Sequence, residues 1–194
     1  MFGRLREQYE KAIRPVGKIL AKTGLPPHAF TLLSVMVAAG SGYEYALGRL
    51  MEGSLLLLLS AVVDMFDGGV ARATNRVTRF GATFDHVLER YAEFFVVSGM
   101  IYGGLVDWAV GLFALFGMLM ASFTRAKAES VGGLKSCTVG VAERQEKLLL
   151  LMGGSLLGRL YPSVLTYAVL LVGVLSHITV LQRLHYTWVQ TGGN

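Results

Sequence analysis

Long apolar runs separated by short charged links dominate the chain from residue 28 onward. The run from Leu160 to Gln182 contains no Asp, Glu, Lys or Arg, and neither does the run from Trp108 to Thr124. A helix of about twenty apolar residues crosses the roughly 30 Å hydrocarbon core of a bilayer. The pattern therefore predicts six transmembrane helices, at residues 28–48, 51–73, 81–105, 107–130, 142–159 and 161–184.

Residues 1–25 follow a different pattern. Apolar residues recur there at three- and four-residue spacing with basic residues between them, namely Phe2, Leu5, Tyr9, Ile13, Val16 and Leu20. This spacing is typical of an amphipathic helix that lies in the headgroup region of a membrane. We therefore expect three parts: an interfacial amphipathic helix over residues 1–25, a six-helix transmembrane domain over 26–186, and a C-terminal tail over 187–194.

The composition supports an all-α integral membrane protein. Hydrophobic residues make up 53% of the 194 residues and charged residues 16%, whereas an average soluble domain has about 25% charged residues. These proportions argue against a disordered chain and against an ordinary cytosolic enzyme. The net charge of +5 does not indicate nucleic-acid binding, because the basic residues interrupt apolar runs instead of forming a stripe on a polar surface. A single cysteine, Cys137, excludes an internal disulfide and a multi-cysteine metal site.

The distribution of positive charge predicts the orientation in the membrane. Lys and Arg residues concentrate in segments 1–27, 72–80 and 125–147, while the alternate loops contain only Arg49 and Arg159. Loops rich in Lys and Arg stay on the cytoplasmic side of a membrane. We therefore expect both termini and the two basic links to face the cytoplasm, which agrees with an even number of spans.

Four carboxylates lie within or beside the predicted second and third spans, where charged groups are costly. Asp64 and Asp67 are three residues apart, and Asp85 and Glu89 are four apart, so each pair shares one face of its helix. Four neighbouring carboxylates repel one another unless cations compensate them. An all-oxygen ligand set suits a hard ion, and two Mg²⁺ or Mn²⁺ ions would balance the four charges. The alternative, ordinary interfacial carboxylates paired with nearby arginines, agrees less well with their place in the spans.

The residues around these carboxylates form a longer motif. It reads Asp64-x-x-Asp67-Gly68-x-x-Ala71-Arg72, then eight residues, then Gly81-x-x-x-Asp85-x-x-x-Glu89. This arrangement resembles the signature of the CDP-alcohol phosphotransferase family, and the six predicted spans and the interfacial helix are similar to that family as well. The family signature ends in a fourth aspartate, where this chain has Glu89; every other element and spacing matches.

The resemblance implies an enzyme of phospholipid biosynthesis in the plasma membrane of a prokaryote, with its active site facing the cytoplasm. The hydroxyl of an alcohol would attack the β-phosphate of a CDP-linked lipid, CDP-diacylglycerol or CDP-archaeol, and release CMP. By resemblance, two divalent ions would be held by Asp64, Asp67, Asp85 and Glu89, with Glu89 also acting as the base. The implied contacts to the CDP group are Thr31, Asp64, Gly68, Ala71, Arg72 and Gly81. The resemblance also implies a homodimer.

A second group of residues predicts the acceptor. Arg125, Lys127, Arg144 and Arg183 lie at the same predicted membrane face as the carboxylates, and converging cations suit an acceptor that carries a phosphate. On charge alone these residues fit the positive-inside pattern equally well, and we assign Lys135 and Lys147 to that pattern. The segments that contain the four cations resemble the family branch that uses inositol phosphate, the phosphatidylinositol-phosphate and archaetidylinositol-phosphate synthases. The resemblance therefore implies inositol phosphate as the acceptor.

Several alternatives remain open at this point. Within the family, the acceptor could be glycerol phosphate or serine, or the donor could be CDP-inositol. Because Glu89 replaces the fourth aspartate, a non-catalytic member that binds CDP-lipids is a further alternative. A small transporter would also explain carboxylates within spans, but such a protein should place them near the bilayer midplane. Here all four are predicted at one membrane face.

Overall fold

The structure, a computed structural model, describes residues 15–192, and the regular structure in that part of the chain is entirely α-helical. The long helices are α1 (Pro27–Ala46), α2 (Leu50–Ala73), α3 (Arg79–Tyr102), α4 (Trp108–Ser130), α5 (Arg144–Gly158) and α6 (Ser163–Gln190). The all-α prediction is confirmed, and each helix lies at one of the predicted positions. Residues 15–21 are also helical, whereas residues 1–14 of the predicted interfacial helix lie outside the described residues. Helix α6 continues past its predicted end, so residues 187–190 of the expected tail are helical.

Three helices among the described residues have the length and composition needed to cross a membrane. Helices α2, α4 and α6 are long and apolar enough to cross a bilayer. Helix α5 has 15 residues, fewer than the roughly twenty of a full span. The outward surfaces of the bundle carry exposed large apolar side chains such as Leu55, Phe116 and Leu181, which a water-soluble bundle would bury. The chain is therefore an integral membrane protein.

The helices pack as two groups of three. Helix α1 contacts both α2 and α3, helix α6 contacts both α4 and α5, and the two groups meet through α2–α5 and α3–α4 contacts. One core of buried apolar side chains runs through both groups and includes Tyr45, Met100, Met118, Leu151 and Val169. Within this core the Tyr45 hydroxyl and the Ser155 hydroxyl form a hydrogen bond of 2.8 Å that links α1 to α5.

Helices α1 and α3 run in the same direction, so their N-terminal ends lie at the same end of the bundle. The His28 ring of α1 meets the Phe80 and Phe84 rings of α3 edge-on, with centroid distances of 5.6 and 5.5 Å. Towards their other ends the two helices approach closely. A Cβ atom added at Gly99 would overlap the backbone of Gly42, and one added at Gly42 would overlap the Phe95 carbonyl. Glycine at both positions therefore allows this approach.

Gly99→Leu is expected to lower the free energy of unfolding by about 2 kcal/mol or more, since the side chain must push two helix backbones apart. The thermal unfolding midpoint of the purified protein in detergent measures this effect. Gly153→Leu is the matched control, because a Cβ at Gly153 has no neighbour within 4 Å. Equal midpoints for the two variants would contradict the proposed role of the glycine contact.

Candidate active site

The link between α2 and α3 brings the two halves of the motif face to face. Asn75 has a left-handed φ of 54°, a conformation that asparagine adopts more readily than most side chains. The Thr78 hydroxyl then caps α3 by accepting a hydrogen bond of 2.9 Å from the Gly81 N–H. Because the link is this short, the last turns of α2 lie opposite the first turns of α3.

Asp64 and Asp67 of α2 and Asp85 of α3 form a cluster, called here the aspartate cluster. One carboxylate oxygen from each residue lies within 4.8 Å of the other two. Asp85 Oδ1 is buried and has no hydrogen-bond partner among the described residues. A buried carboxylate oxygen without a donor, beside two other carboxylates, leaves negative charge that a divalent cation would balance. The aspartate cluster therefore fits a hard metal ion with oxygen ligands.

Two buried hydroxyl groups of α1 orient this cluster. Thr31 Oγ1 donates to Asp67 Oδ2 at 2.7 Å. Ser34 Oγ lies 2.8 Å from the Thr31 carbonyl oxygen and 3.2 Å from Asp64 Oδ1, so its proton is shared between the two acceptors. Hydrogen bonds of this kind hold potential metal ligands in one orientation. Thr31 was predicted as a CDP contact, but its hydroxyl group bonds to the carboxylate of Asp67. Sequence analysis missed Ser34, although its position one helical turn after Thr31 placed two hydroxyls on the same face of α1.

Thr31→Ala is expected to weaken divalent-metal binding about ten- to a hundredfold, because the Asp67 carboxylate loses the group that orients it. Binding can be followed by the paramagnetic resonance signal of free Mn²⁺ during titration of the purified protein. Thr179→Ala serves as the control, since this buried hydroxyl bonds within its own helix, to Leu175 O. Unchanged Mn²⁺ affinity in Thr31→Ala would remove Thr31 from the metal site.

Glu89 is held by two arginines and does not belong to the aspartate cluster. Its Oε1 accepts a hydrogen bond of 2.8 Å from Arg144 Nη1, and its Oε2 accepts one of 3.1 Å from Arg90 Nη2. The same Nη1 atom of Arg144 also forms an ion pair with Asp64. Of the four predicted carboxylates, three therefore converge directly, and the fourth is connected to them through Arg144.

Buried charges that sequence analysis missed lie next to this arrangement. Arg90 Nη1 donates to Glu93 Oε2 at 2.6 Å, and Glu93 is only 4% exposed. Lys147 is also buried. The positive-inside pattern, to which we assigned Lys147, does not require a buried side chain. Two features of the sequence could have indicated these buried charges. Arg90 and Glu93 are three residues apart beside an apolar run, and Lys147 follows Arg144 by one helical turn.

The remaining motif residues surround the last turn of α2. A Cβ on Gly68 would lie 3.1 Å from Arg72 Nη1, so the exposed Arg72 side chain folds over Gly68. Ala71 is half-buried beside it. A Cβ on Gly81 would lie 3.0 Å from Thr78 Oγ1 and 3.1 Å from the His28 ring. Close packing therefore favours glycine at position 81 independently of any ligand.

The four cations predicted to bind the acceptor have different environments. Of these four, Arg144 alone pairs with carboxylates of the motif in the part of the chain that the structure describes. Arg125 pairs with Glu129 at 3.0 Å, and Lys127 Nζ lies 5.6 Å from the centre of the Phe123 ring. Arg183 is 8% exposed and donates to two backbone carbonyls, Val139 O at 2.9 Å and Ala121 O at 2.5 Å. Arg183 thus ties α6 to the end of α4 and to the following loop.

Comparison with known proteins identifies the family to which this site belongs. The family model described as CDP-alcohol phosphatidyltransferase matches residues 25–179. The chain belongs to the CDP-alcohol phosphatidyltransferase family. The family resemblance seen in the motif is thereby confirmed, and the protein is a membrane phosphotransferase of phospholipid biosynthesis.

Relatives within the family match nearly the whole chain. Archaetidylinositol phosphate synthase of Methanothermobacter thermautotrophicus is 36% identical over 189 residues, which cover 97% of this chain and 94% of that protein. Phosphatidylinositol phosphate synthase of Mycobacterium marinum is 30% identical over an alignment of 203 positions, which covers 96% of this chain and 84% of that protein.

Solved structures of a family member share the fold. Phosphatidylinositol phosphate synthase of Mycobacterium tuberculosis with CDP-DAG bound superposes with a TM-score of 0.83 at 27% identity, covering 92% of this chain and 94% of that chain. The same protein in complex with manganese and citrate gives a TM-score of 0.82 at 27% identity, covering 91% and 88%.

Proposed function

We propose that this phosphotransferase moves the phosphatidyl-type group of a CDP-linked lipid to inositol phosphate and releases CMP. The observation that carries the proposal is the aspartate cluster with Arg144 beside it, which puts carboxylates suited to a metal next to a cation suited to a phosphate. The relatives named archaetidylinositol and phosphatidylinositol phosphate synthases support inositol phosphate as the acceptor. The transfer assay with CDP-archaeol and CDP-diacylglycerol determines which lipid the donor carries.

The aspartate cluster is proposed to hold divalent metal, with Glu89 as the fourth carboxylate and two Mg²⁺ or Mn²⁺ ions in total. When bound, the ions supply electrostatic stabilisation to the diphosphate and to the departing CMP. The unpartnered Asp85 Oδ1 and the proximity of the three carboxylates support this assignment. The manganese complex of the mycobacterial relative also supports it.

Side chains around the metal site are proposed to accept the proton of the acceptor and to contact the CDP group. Glu89 accepts the proton of the acceptor hydroxyl, whose oxygen forms a bond to the β-phosphorus while the bond to the CMP oxygen breaks. Gly68, Ala71, Arg72 and Gly81 border the CDP group. Arg72 is exposed and can pair with a phosphate oxygen. Thr31 acts on this site through Asp67, to which its hydroxyl group bonds.

We further propose that α1, α3 and α5 cross the membrane together with α2, α4 and α6, giving six spans with both termini and the active site at the cytoplasmic face. The parallel packing of α1 and α3 and the meeting of α2, α3 and α5 at one end of the bundle support this arrangement. The proposed division remains an interfacial helix over 1–25, a catalytic domain over 26–186 and a tail from 187.

The active form is proposed to be a homodimer. A groove of about 1680 Å³ between α3 and α4 supports this, because its apolar walls include Phe94, Phe116, Leu119 and Phe123. Helices of a second copy could fill this groove, since membrane helices associate through close van der Waals packing.

Arg144→Ala is expected to raise the KM for a phosphorylated acceptor about ten- to a hundredfold, because a charge-assisted hydrogen bond contributes about 1.5–3 kcal/mol. The KM for the CDP-lipid should change less. Arg49→Ala, at the other end of the bundle, is the control. Equal changes in both KM values would remove Arg144 from the acceptor pocket. Arg183→Ala is likewise expected to raise the KM for the phosphorylated acceptor more than the KM for the CDP-lipid. The unfolding midpoint of this variant must be measured as well, because Arg183 also donates to two carbonyls.

The proposed function is tested by incubating the purified protein with Mg²⁺ or Mn²⁺, CDP-archaeol or CDP-diacylglycerol, and one radiolabelled acceptor at a time. The acceptors are inositol phosphate, glycerol phosphate and serine, with CDP-inositol as an additional donor. Labelled lipid and stoichiometric CMP from inositol phosphate alone would support the proposal. Excess EDTA should abolish the reaction and added Mn²⁺ should restore it. Product from another acceptor, or full turnover in EDTA, would overturn the acceptor or the metal assignment respectively.

A further inference from the structure

Arg144 has two sets of partners that compete for it. Its Nη1 pairs with Asp64 of α2 and lies 2.8 Å from Glu89 of α3, so one nitrogen joins carboxylates on both sides of the site. The proposed function assigns Asp64 and Glu89 to metal, and assigns Arg144 to the phosphate of the acceptor. A guanidinium group this close to both carboxylates contributes positive charge where divalent ions would also sit, and like charges repel strongly at short range.

Arg144 is better placed to change partners than the other arginine at Glu89. Arg90 is anchored by the buried Glu93 carboxylate at 2.6 Å. Arg144 is the first residue of α5 and follows an irregular loop over residues 131–143. Its Nε, like that of Arg90, is buried and has no hydrogen-bond partner among the described residues, so not all of its donors are used in the present arrangement. An anion on the acceptor side could take up the unused donors.

We propose that Arg144 is an exchangeable counter-ion that couples metal binding to binding of the acceptor's phosphate. In the absence of metal, Arg144 pairs with Asp64 and Glu89 and compensates part of their negative charge. When metal binds, Arg144 leaves these carboxylates, and the phosphate of the acceptor receives the released guanidinium group. This inference rests on the proposed function, because it uses the metal and acceptor roles assigned there.

The exchange has a thermodynamic consequence. Each ligand favours the same position of Arg144, so metal and phosphorylated acceptor must bind with positive cooperativity, and the coupling must be reciprocal. We expect inositol phosphate to tighten Mn²⁺ binding about five- to a hundredfold. Unphosphorylated inositol should have no such effect, since it offers no anion to the guanidinium group. The exchange would therefore favour phosphorylated acceptors through metal loading as well as through direct contact.

The experiment titrates Mn²⁺ into purified full-length protein and follows free Mn²⁺ by its paramagnetic resonance signal, without CDP-lipid and hence without turnover. Titrations are run alone, with inositol and with inositol phosphate, and protein-free titrations correct for direct complexation of Mn²⁺. The proteins are wild type, Arg144→Gln, Arg144→Lys and the control Arg49→Gln. Arg49 is exposed, and its one ion pair within residues 15–192 is with Glu44, at 3.2 Å. Monodisperse elution and the unfolding midpoint verify that each variant folds.

In Arg144→Gln, Mn²⁺ binding without acceptor should become at least about threefold tighter than in wild type, and the tightening by inositol phosphate should disappear. Arg144→Lys keeps the positive charge but loses the planar guanidinium group with its paired N–H donors, so it should retain part of the coupling. The control should match wild type. The proposal is overturned if Arg144→Gln binds Mn²⁺ no more tightly than wild type, or if its coupling to inositol phosphate is undiminished. Failure of the acceptor assignment itself would be seen separately, as absence of lipid product from inositol phosphate in the transfer assay.

Discussion

Asp67→Asn is expected to reduce phosphotransfer by about a thousandfold or more while leaving the fold intact. Asp67 contributes one oxygen to the aspartate cluster and accepts hydrogen bonds from the Thr31 hydroxyl and the Gly68 N–H. Asparagine has nearly the same shape, and its amide oxygen can still accept the Thr31 hydrogen bond. It lacks the negative charge, however, so the cluster loses both a ligand and part of the field that attracts a divalent ion.

The measurement is the rate of CMP release at saturating donor, acceptor and Mg²⁺, together with the Mn²⁺ affinity of the same preparation. Asp107→Asn is the matched control, because Asp107 caps the start of α4 and accepts hydrogen bonds from the Ala109 and Val110 N–H groups. It should lower stability slightly and leave turnover nearly unchanged. Wild-type turnover and wild-type Mn²⁺ affinity in Asp67→Asn would show that the aspartate cluster does not hold the catalytic metal.

Glu89→Gln is expected to slow the chemical step by about a hundred- to ten-thousandfold, the usual effect of removing a general base. Binding of the CDP-lipid should be nearly preserved, because the three aspartates remain. In the structure both Glu89 oxygens accept hydrogen bonds from arginines, Arg144 at 2.8 Å and Arg90 at 3.1 Å. Movement of Arg144 towards the acceptor would release the oxygen that we propose takes the proton. The informative measurement is single-turnover CMP release at saturating donor and acceptor.

Glu89→Asp is the conservative comparison. It keeps the carboxylate and restores the family residue but shortens the side chain by one methylene, so the rate should stay within about tenfold of wild type. A marked loss would mean that the glutamate is fitted to the spacing set by Arg90 and Arg144. Wild-type turnover in Glu89→Gln would exclude Glu89 as the base. An inactive wild type with an active Glu89→Asp would make the natural chain a CDP-lipid-binding member of the family.

The helical class and the position of each helix followed from sequence because they depend on local properties. Apolar runs such as Leu160–Gln182 must be helical in a bilayer, since only a helix satisfies its own backbone hydrogen bonds there. The aspartate cluster was predictable for a similar reason. Asp64 and Asp67 share a face by helix periodicity. The short link to α3 places the first turns of α3, with Asp85, opposite that face.

Contacts between helices that are distant in sequence were decided only by the tertiary structure. Arg144 and Asp64 are 80 residues apart, and Thr31 and Asp67 are 36 apart, so no periodicity links either pair. Their meeting depends on how helix surfaces pack, which the Gly42–Gly99 approach and the buried core control. Arg183 illustrates the same limit: its charge suggested an acceptor ligand, and only packing shows that its guanidinium group also donates to two carbonyls. Sequence alone determined which charged groups lie at this end of the bundle. Packing determined which of them are paired, because partners such as Arg144, Asp64 and Glu89 come from three different helices.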